Sequence, residues 1–197
     1  MKYLITLFFV LLHLTTPARP TKEMRMEKVM ENIQSVKEFQ HIADSLQMSV
    51  SELYDYPVIF PIKNPTISSS FEWRKHPIYK MRRFHTGIDI PKVKGTPVYA
   101  TGNGVVIRKG YDSGYGNFVE IHHSGGFRSF YAHLSRILVN VGDWVNITQQ
   151  IACIGNTGVA TGSHLHYEVR KGKYFLNPKE WCYCLLEILK REAVRSF

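Results

Sequence analysis

Between residues 21 and 51 the chain contains neither glycine nor proline, and apolar side chains fall at positions 26, 29, 30, 33, 36, 39, 42, 43 and 46. Steps of three and four belong to one face of a helix, so the pattern predicts an amphipathic helix over Thr21–Ser51. The stripe drifts instead of keeping a strict heptad, which disfavours a long coiled coil and leaves a helix packed on a domain or a membrane-proximal stalk. Pro57, Pro61 and Pro65 end that helix and lead the chain onward in extended form. From there to Leu176 short β-rich runs alternate with Gly-containing turns: Val98–Ala100, Val105–Arg108, Phe118–His122, Phe127–Ala132, Gln150–Ile154 and His164–Arg170. That rhythm predicts antiparallel sheet. Ser124-Gly-Gly126 reads as a hairpin turn, because Gly adopts positive φ at little steric cost. Asn177-Pro178 reads as the cap and first position of a second helix, running to about Arg195. The predicted fold class is mainly β, an antiparallel sheet domain preceded by an N-terminal helix and followed by a C-terminal one.

The first residues carry a different pattern. Lys2 is followed by an apolar stretch from Tyr3 to Leu14, broken only by Thr6 and His13, and then by Thr15-Thr-Pro-Ala-Arg-Pro20. This is too short for a comfortable span of ~20 residues but fits the ~7–15 residue apolar region of an export signal. Cleavage after Ala18 places Thr16 and Ala18 at the two positions that prefer small residues; an uncleaved N-terminal anchor, associated with the membrane, is the alternative. Both put the rest of the chain outside the cytoplasm, in the periplasm, the cell envelope or the medium. The predicted organisation is a signal peptide or anchor over 1–18, a helical extension and linker over 19–56, and a domain with its C-terminal helix over 57–197.

Composition adds bounds. A 44% apolar fraction with 11 Tyr and 11 Phe indicates a folded, strand-rich chain. The net charge of +9 suits an anionic partner such as a wall polymer, a membrane surface or nucleic acid. The export signal argues against nucleic acid. Three cysteines are an odd number for an exported chain, so at least one thiol stays free or bridges another molecule. Cys153 lies in an apolar run and reads as a small buried hydrophobe, and Cys182 and Cys184 read as ordinary helix residues.

Candidate chemistry sits in the sheet region. His164 and His166 flank Leu165, so in a strand both imidazoles emerge on one face. His85 and Asp89 are four apart, which also preserves the face of a strand, and Gly87 between them permits close approach or a kink. Catalytic zinc takes three ligands from His and Asp or Glu and keeps a fourth position for water. His85, Asp89 and one of the paired histidines meet that need. His133 and the remaining histidine are then candidates for the proton transfer and oxyanion stabilisation that hydrolysis requires. Glu168 shares a face with His166 and reads equally as a group that orients a neighbour or as an exposed strand residue. His122 and His123 read as edge or turn residues, His76 as a loop residue beside the groove, and His41 as a helix residue.

His85-Thr-Gly-Ile-Asp89, Tyr131-Ala-His-Leu134 and Gly162-Ser-His-Leu-His-Tyr-Glu168 together resemble the signature blocks of the lysostaphin-type (LytM-like, M23) zinc metallopeptidases. Phe71-Glu-Trp-Arg-Lys-His-Pro77, Gly95-Thr-Pro-Val-Tyr-Ala100, Tyr115-Gly-Asn117 and Gly155-Asn-Thr-Gly158 agree with it, so the resemblance runs from about Ile59 to Trp181. It implies zinc held by His85, Asp89 and His166, with His133 and His164 as base and as polarising or proton-donating group, and Tyr115 helping to stabilise the oxyanion. It also implies a substrate groove on the open sheet. The expected activity is zinc-dependent endopeptidase cleavage of crosslinks or bridges in bacterial peptidoglycan. A noncatalytic envelope module that binds peptidoglycan or activates a partner amidase is the alternative the family also contains, in members that lack ligands; here every expected ligand is present.

Overall fold

Strand alternation in this chain sends one row of side chains into a shared core and the other into an open groove, and the fold follows from that division. The structure is a computed structural model and describes residues 28–30 and 32–195. The apolar leader, with its expected cleavage site or anchor, lies outside the described residues. Among the described residues no helix is long and apolar enough to cross a membrane.

The helix expected over Thr21–Ser51 is interrupted. Helix α1 spans Val36–Ser45 and a single turn, α2, spans Val50–Leu53. Each has its own start signal: Ser35 and Ser49 accept from the backbone N–H groups of Glu38 and Glu52, whose side chains return to the cap residue. Gln47, at φ 49°, turns the chain between them. These two Ser-x-x-Glu boxes override the continuous apolar stripe. That stripe nevertheless faces inward, with Met30, Ile33, Val36, Phe39 and Ala43 buried in the main core. Phe39 packs edge-on against Tyr56 and Trp181, with ring centroids 4.9 and 5.3 Å away.

Among the described residues one sheet of nine strands carries the fold. They are β3 (Ile88–Pro91), β4 (Pro97–Tyr99), β5 (Gly104–Asp112), β6 (Gly116–His122), β7 (Phe127–Ile137), β8 (Trp144–Val145), β9 (Gln150–Ile154), β10 (His164–Lys171) and β11 (Tyr174–Leu176). The principal order is β11-β10-β7-β6-β5-β8, with β3 on the first half of β10 and β9 joining β7 to β4. All pairings are antiparallel. A separate hairpin of β1 (Trp73–Lys75) and β2 (Arg82–Phe84) stands apart from this sheet. The short strands β1, β2, β8 and β11 escape sequence detection because alternation needs more positions to register.

One face of the sheet is the core. Val119, Ile121, Tyr131, Leu165, Tyr167 and Val169 are fully buried there, together with Trp181 from helix α3 (Pro178–Arg195). Asn177 caps α3 as expected, its Oδ1 accepting from the N–H of Lys179 at 3.2 Å. Gly125 and Gly126 take φ of 61° and 75° in the turn between β6 and β7. The other face is polar and aromatic: Phe118 and Phe130 stack, and the buried Glu120 carboxylate receives Arg108, Arg128 and Arg170.

The thiols of Cys153, Cys182 and Cys184 are all free. Cys182 and Cys184 are buried in α3, whereas Cys153 in β9 is only half-buried. His123 also differs from its reading as a turn residue: it is buried, donating from Nδ1 to the Asn103 carbonyl and accepting the Ser129 hydroxyl at Nε2, both at 2.7 Å.

Candidate active site

Antiparallel pairing brings the two sequence motifs together. In the register of β3 on β10, Asp89 lies directly opposite His166 and Ile90 opposite Leu165. His85 is not in the same strand as Asp89, contrary to the simplest reading of their spacing. It follows β2 and reaches the site across the turn that contains Gly87. A Cβ at Gly87 would stand 2.4 Å from the Tyr167 carbonyl oxygen, so only glycine allows the turn to lie this close to β10.

Three ligand atoms converge as a result. His85 Nε2 is 3.1 Å from Asp89 Oδ1 and 3.1 Å from His166 Nδ1, and His166 Nδ1 is 2.9 Å from Asp89 Oδ1. Zinc bound at ~2.0–2.1 Å in a tetrahedron would separate its ligands by about 3.4 Å, so this triangle matches one face of such a site after slight expansion. The remaining bonds fix which atoms point inward. His85 Nδ1 is 2.7 Å from the Ser70 carbonyl oxygen, to which it must donate, leaving a lone pair on Nε2. His166 Nε2 faces the Glu168 carboxylate at 2.9 Å, leaving Nδ1 toward Asp89 and His85. Acceptors therefore crowd together around a space that calls for a cation.

Electrostatics agree. Burial would raise the Asp89 carboxyl, but the His166 and His85 imidazoles beside it outweigh that effect and hold the group well below the usual carboxylate range. Burial likewise works against the charged form of His166, yet Asp89 and Glu168 raise it to about 9 in the metal-free protein. Arg74 Nη2 donates to the other Asp89 oxygen, Oδ2, at 3.0 Å.

His133 and His164 stand beside the triad, their ring centroids 4.6 Å apart. β7 is bulged where it passes between β6 and β9, and His133 there has φ 59°. This left-handed residue takes its ring out of strand alternation and toward the groove. Its Nδ1 donates to the Thr157 carbonyl at 2.8 Å, so Nε2 is free to accept a proton, and burial lowers its pKa to about 4. His164 donates from Nδ1 to the Gly162 carbonyl at 2.9 Å, while its Nε2 lies 3.7 Å from Asp89 Oδ1. Tyr115 is close by, but its hydroxyl is given to Glu168 Oε1 at 3.2 Å. Burial and the Glu168 carboxylate raise its pKa, keeping the phenol a donor.

All six predicted site residues line one groove of about 700 Å³. The β1–β2 hairpin forms part of its wall through Arg74, His76, Tyr79 and Arg83. His76 accepts the N–H groups of Ile78 and Tyr79 at its Nδ1 and so braces the hairpin turn. Arg74 and the carbonyls of Ser70, Thr157 and Gly162 were not foreseen as parts of the site. Arg74 does stand in the Phe71–Pro77 block, but its spacing from Asp89 carries no sign of contact, and backbone carbonyls leave no residue-type signal at all.

Residues 83–178 match the family model described as peptidase family M23. The chain is 42% identical over 127 residues to the peptidoglycan DD-endopeptidase ShyA of Vibrio cholerae, an alignment covering 64% of this chain and 28% of the relative. It spans under a third of the length of the curated relatives it matches first. A zinc containing peptidase from Vibrio cholerae has a similar structure, at 38% identity and a TM-score of 0.57, covering 60% of this chain and 38% of that one. The catalytic domain of the prophage-encoded M23 protein EnpA from Enterococcus faecalis, in a mutant form, matches at 33% identity and a TM-score of 0.53 over 59% of this chain and 91% of that one. With the sheet, the ordered motifs and near-complete coverage of a catalytic domain all in agreement, the chain belongs to peptidase family M23.

Proposed function

We propose that this protein is an exported zinc-dependent endopeptidase that hydrolyses peptide crosslinks or bridges of bacterial peptidoglycan, with residues 57–197 as its catalytic domain. The observation that carries this reading is the triangle of His85 Nε2, Asp89 Oδ1 and His166 Nδ1, with all three edges between 2.9 and 3.1 Å. Two imidazoles and one carboxylate suit zinc, and a site with three protein ligands keeps a position for chemistry. The zinc-containing and peptidoglycan-cleaving relatives support the choice of metal and substrate. The apolar leader supports export, since this substrate lies outside the cytoplasm.

When bound, zinc supplies a Lewis acid able to acidify water toward neutral pH and to polarise a carbonyl. His85, Asp89 and His166 hold it. His133 offers the free Nε2 lone pair to the proton of the attacking water, and its lowered pKa keeps it in the neutral, accepting form near pH 7. His164, when protonated at Nε2, donates into the same space and steadies negative charge developing on the carbonyl oxygen. The groove admits an extended peptide along the β1–β2 hairpin. Proton transfer from His133 to the leaving amine completes hydrolysis without a covalent enzyme intermediate.

The test combines metal analysis of purified protein with digestion of muropeptides read by mass spectrometry. One zinc per chain and products cut at a peptide bond are expected. Intact muropeptides from protein lacking zinc, even when zinc is supplied, would instead favour a noncatalytic wall-binding or amidase-activating module.

A further inference from the structure

Glu168 is a fully buried carboxylate on the polar face of the sheet, and it does not line the groove. Every contact it makes is with a donor. Oε1 faces His166 Nε2 at 2.9 Å and accepts the hydroxyls of Thr86 at 2.5 Å and Tyr115 at 3.2 Å. Oε2 takes the Nε and Nη2 side of the Arg170 guanidinium. Arg170 is itself held, its Nη1 reaching Glu120 at 3.3 Å and its plane lying 4.0 Å from the Phe130 ring centroid. Gly87 closes the remaining side, since a Cβ there would meet both His166 Cε1 at 2.8 Å and Glu168 Cγ at 2.9 Å.

We infer that Glu168 is a positioning residue that holds His166 in its coordinating tautomer, with Tyr115 acting through Glu168. The inference rests on His166 being a zinc ligand. A carboxylate at Nε2 keeps the proton there, directs the Nδ1 lone pair toward His85 and Asp89, and makes the ring a stronger base for a metal. An imidazole free to rotate or to carry its proton on Nδ1 loses that competence. Three other contacts on Glu168, from Arg170 in β10, Thr86 in the turn before β3 and Tyr115 in the turn before β6, leave the carboxylate a single orientation, and His166 inherits it. Tyr115, whose matching residue in the family was expected to steady an oxyanion, spends its hydroxyl on this assembly.

Zinc affinity of the full chain, measured by competition with a chromophoric chelator, tests this alongside the spectrum of the cobalt-substituted protein and steady-state cleavage. Glu168→Gln is expected to weaken zinc binding by roughly 10–100-fold and to shift the cobalt spectrum. The amide keeps the side-chain shape but turns a donor toward either His166 or Arg170. Tyr115→Phe, which removes one of the contacts that orient Glu168, is expected to weaken zinc binding a few-fold. Unchanged zinc affinity and cobalt spectrum in a folded Glu168→Gln protein would overturn the inference. If that variant fails to fold, Tyr115→Phe decides: zinc affinity and a cobalt spectrum unaltered by loss of that contact overturn the inference. Absence of zinc binding by the unaltered chain marks instead the failure of the ligand reading beneath it, and the inference falls with that reading.

Discussion

At His133 a strand residue adopts the left-handed backbone region, φ 59°, which costs an ordinary side chain on the order of 1–3 kcal/mol. The N–H bonded to the Tyr115 carbonyl at 2.8 Å and the ring bonded to Thr157 hold it there. Asn tolerates this region better than most residues and lacks a group able to take a proton. His133→Asn should therefore keep stability within about 1 kcal/mol and retain zinc, but lose 10²–10⁴ in turnover. Denaturant unfolding, metal analysis and cleavage rates check the three parts, and loss of zinc would show that base and ligand had been exchanged. Gly87→Ala makes the opposite separation. Its Cβ meets a backbone oxygen at 2.4 Å, so the turn must move away from β10. A loss of about 1–3 kcal/mol in unfolding free energy together with weakened zinc binding is expected. At this scale the sequence was most informative about side chains with few possible uses, namely the histidines and Asp89. It was silent about Arg74, whose bond to Asp89 depends on a hairpin that no local pattern announced.

Elements were legible in proportion to their length. The six runs read as strands match six strands of the sheet, although β5 and β7 extend past the expected ends at Arg108 and Ala132 to Asp112 and Ile137. β7 is the instructive case: its alternation breaks at the bulge around His133, so apolar periodicity stops where the catalytic candidate begins. The N-terminal stripe shows the converse, a correct buried face in an incorrect single helix. Because α1 places Phe39 in the same cluster as Phe127 and Trp181, it is part of the core rather than a separate stalk. Phe39→Ala should cost about 3–5 kcal/mol, as expected for a large side chain lost from a packed core. Chemical denaturation gives the number; a cost below about 1 kcal/mol would mean that α1 is only loosely docked. The residues packed by α1 lie on the core face, so zinc affinity of the folded variant should stay unchanged.

For the whole molecule, stability depends on groups that must remain neutral and, under the proposed function, on a cation supplied from outside. Burial lowers His123 from 6.5 to about 4, with no carboxylate to compensate. Between those values the unfolded chain binds more protons than the folded one, so stability falls as pH drops from about 6.5 toward 4. At pH 5 the share due to His123 is about 2 kcal/mol, measurable as the part of the pH dependence that disappears in His123→Gln. Zinc at the proposed site should act in the other direction, binding the folded arrangement of His85, Asp89 and His166 and not the separated ligands of the unfolded chain. At 100 times its dissociation constant it should add about 2.7 kcal/mol, raising the thermal midpoint, and a chelator should reverse the rise. The three ligands enter from the β2–β3 turn, β3 and β10, elements already joined by antiparallel pairing. The metal-free fold should therefore persist at a lower midpoint instead of unfolding outright. His85→Ala should leave that metal-free midpoint nearly unchanged while abolishing the zinc-dependent increment. A zinc response equal to that of the unaltered protein would place the ion elsewhere and remove the triad from the proposed chemistry.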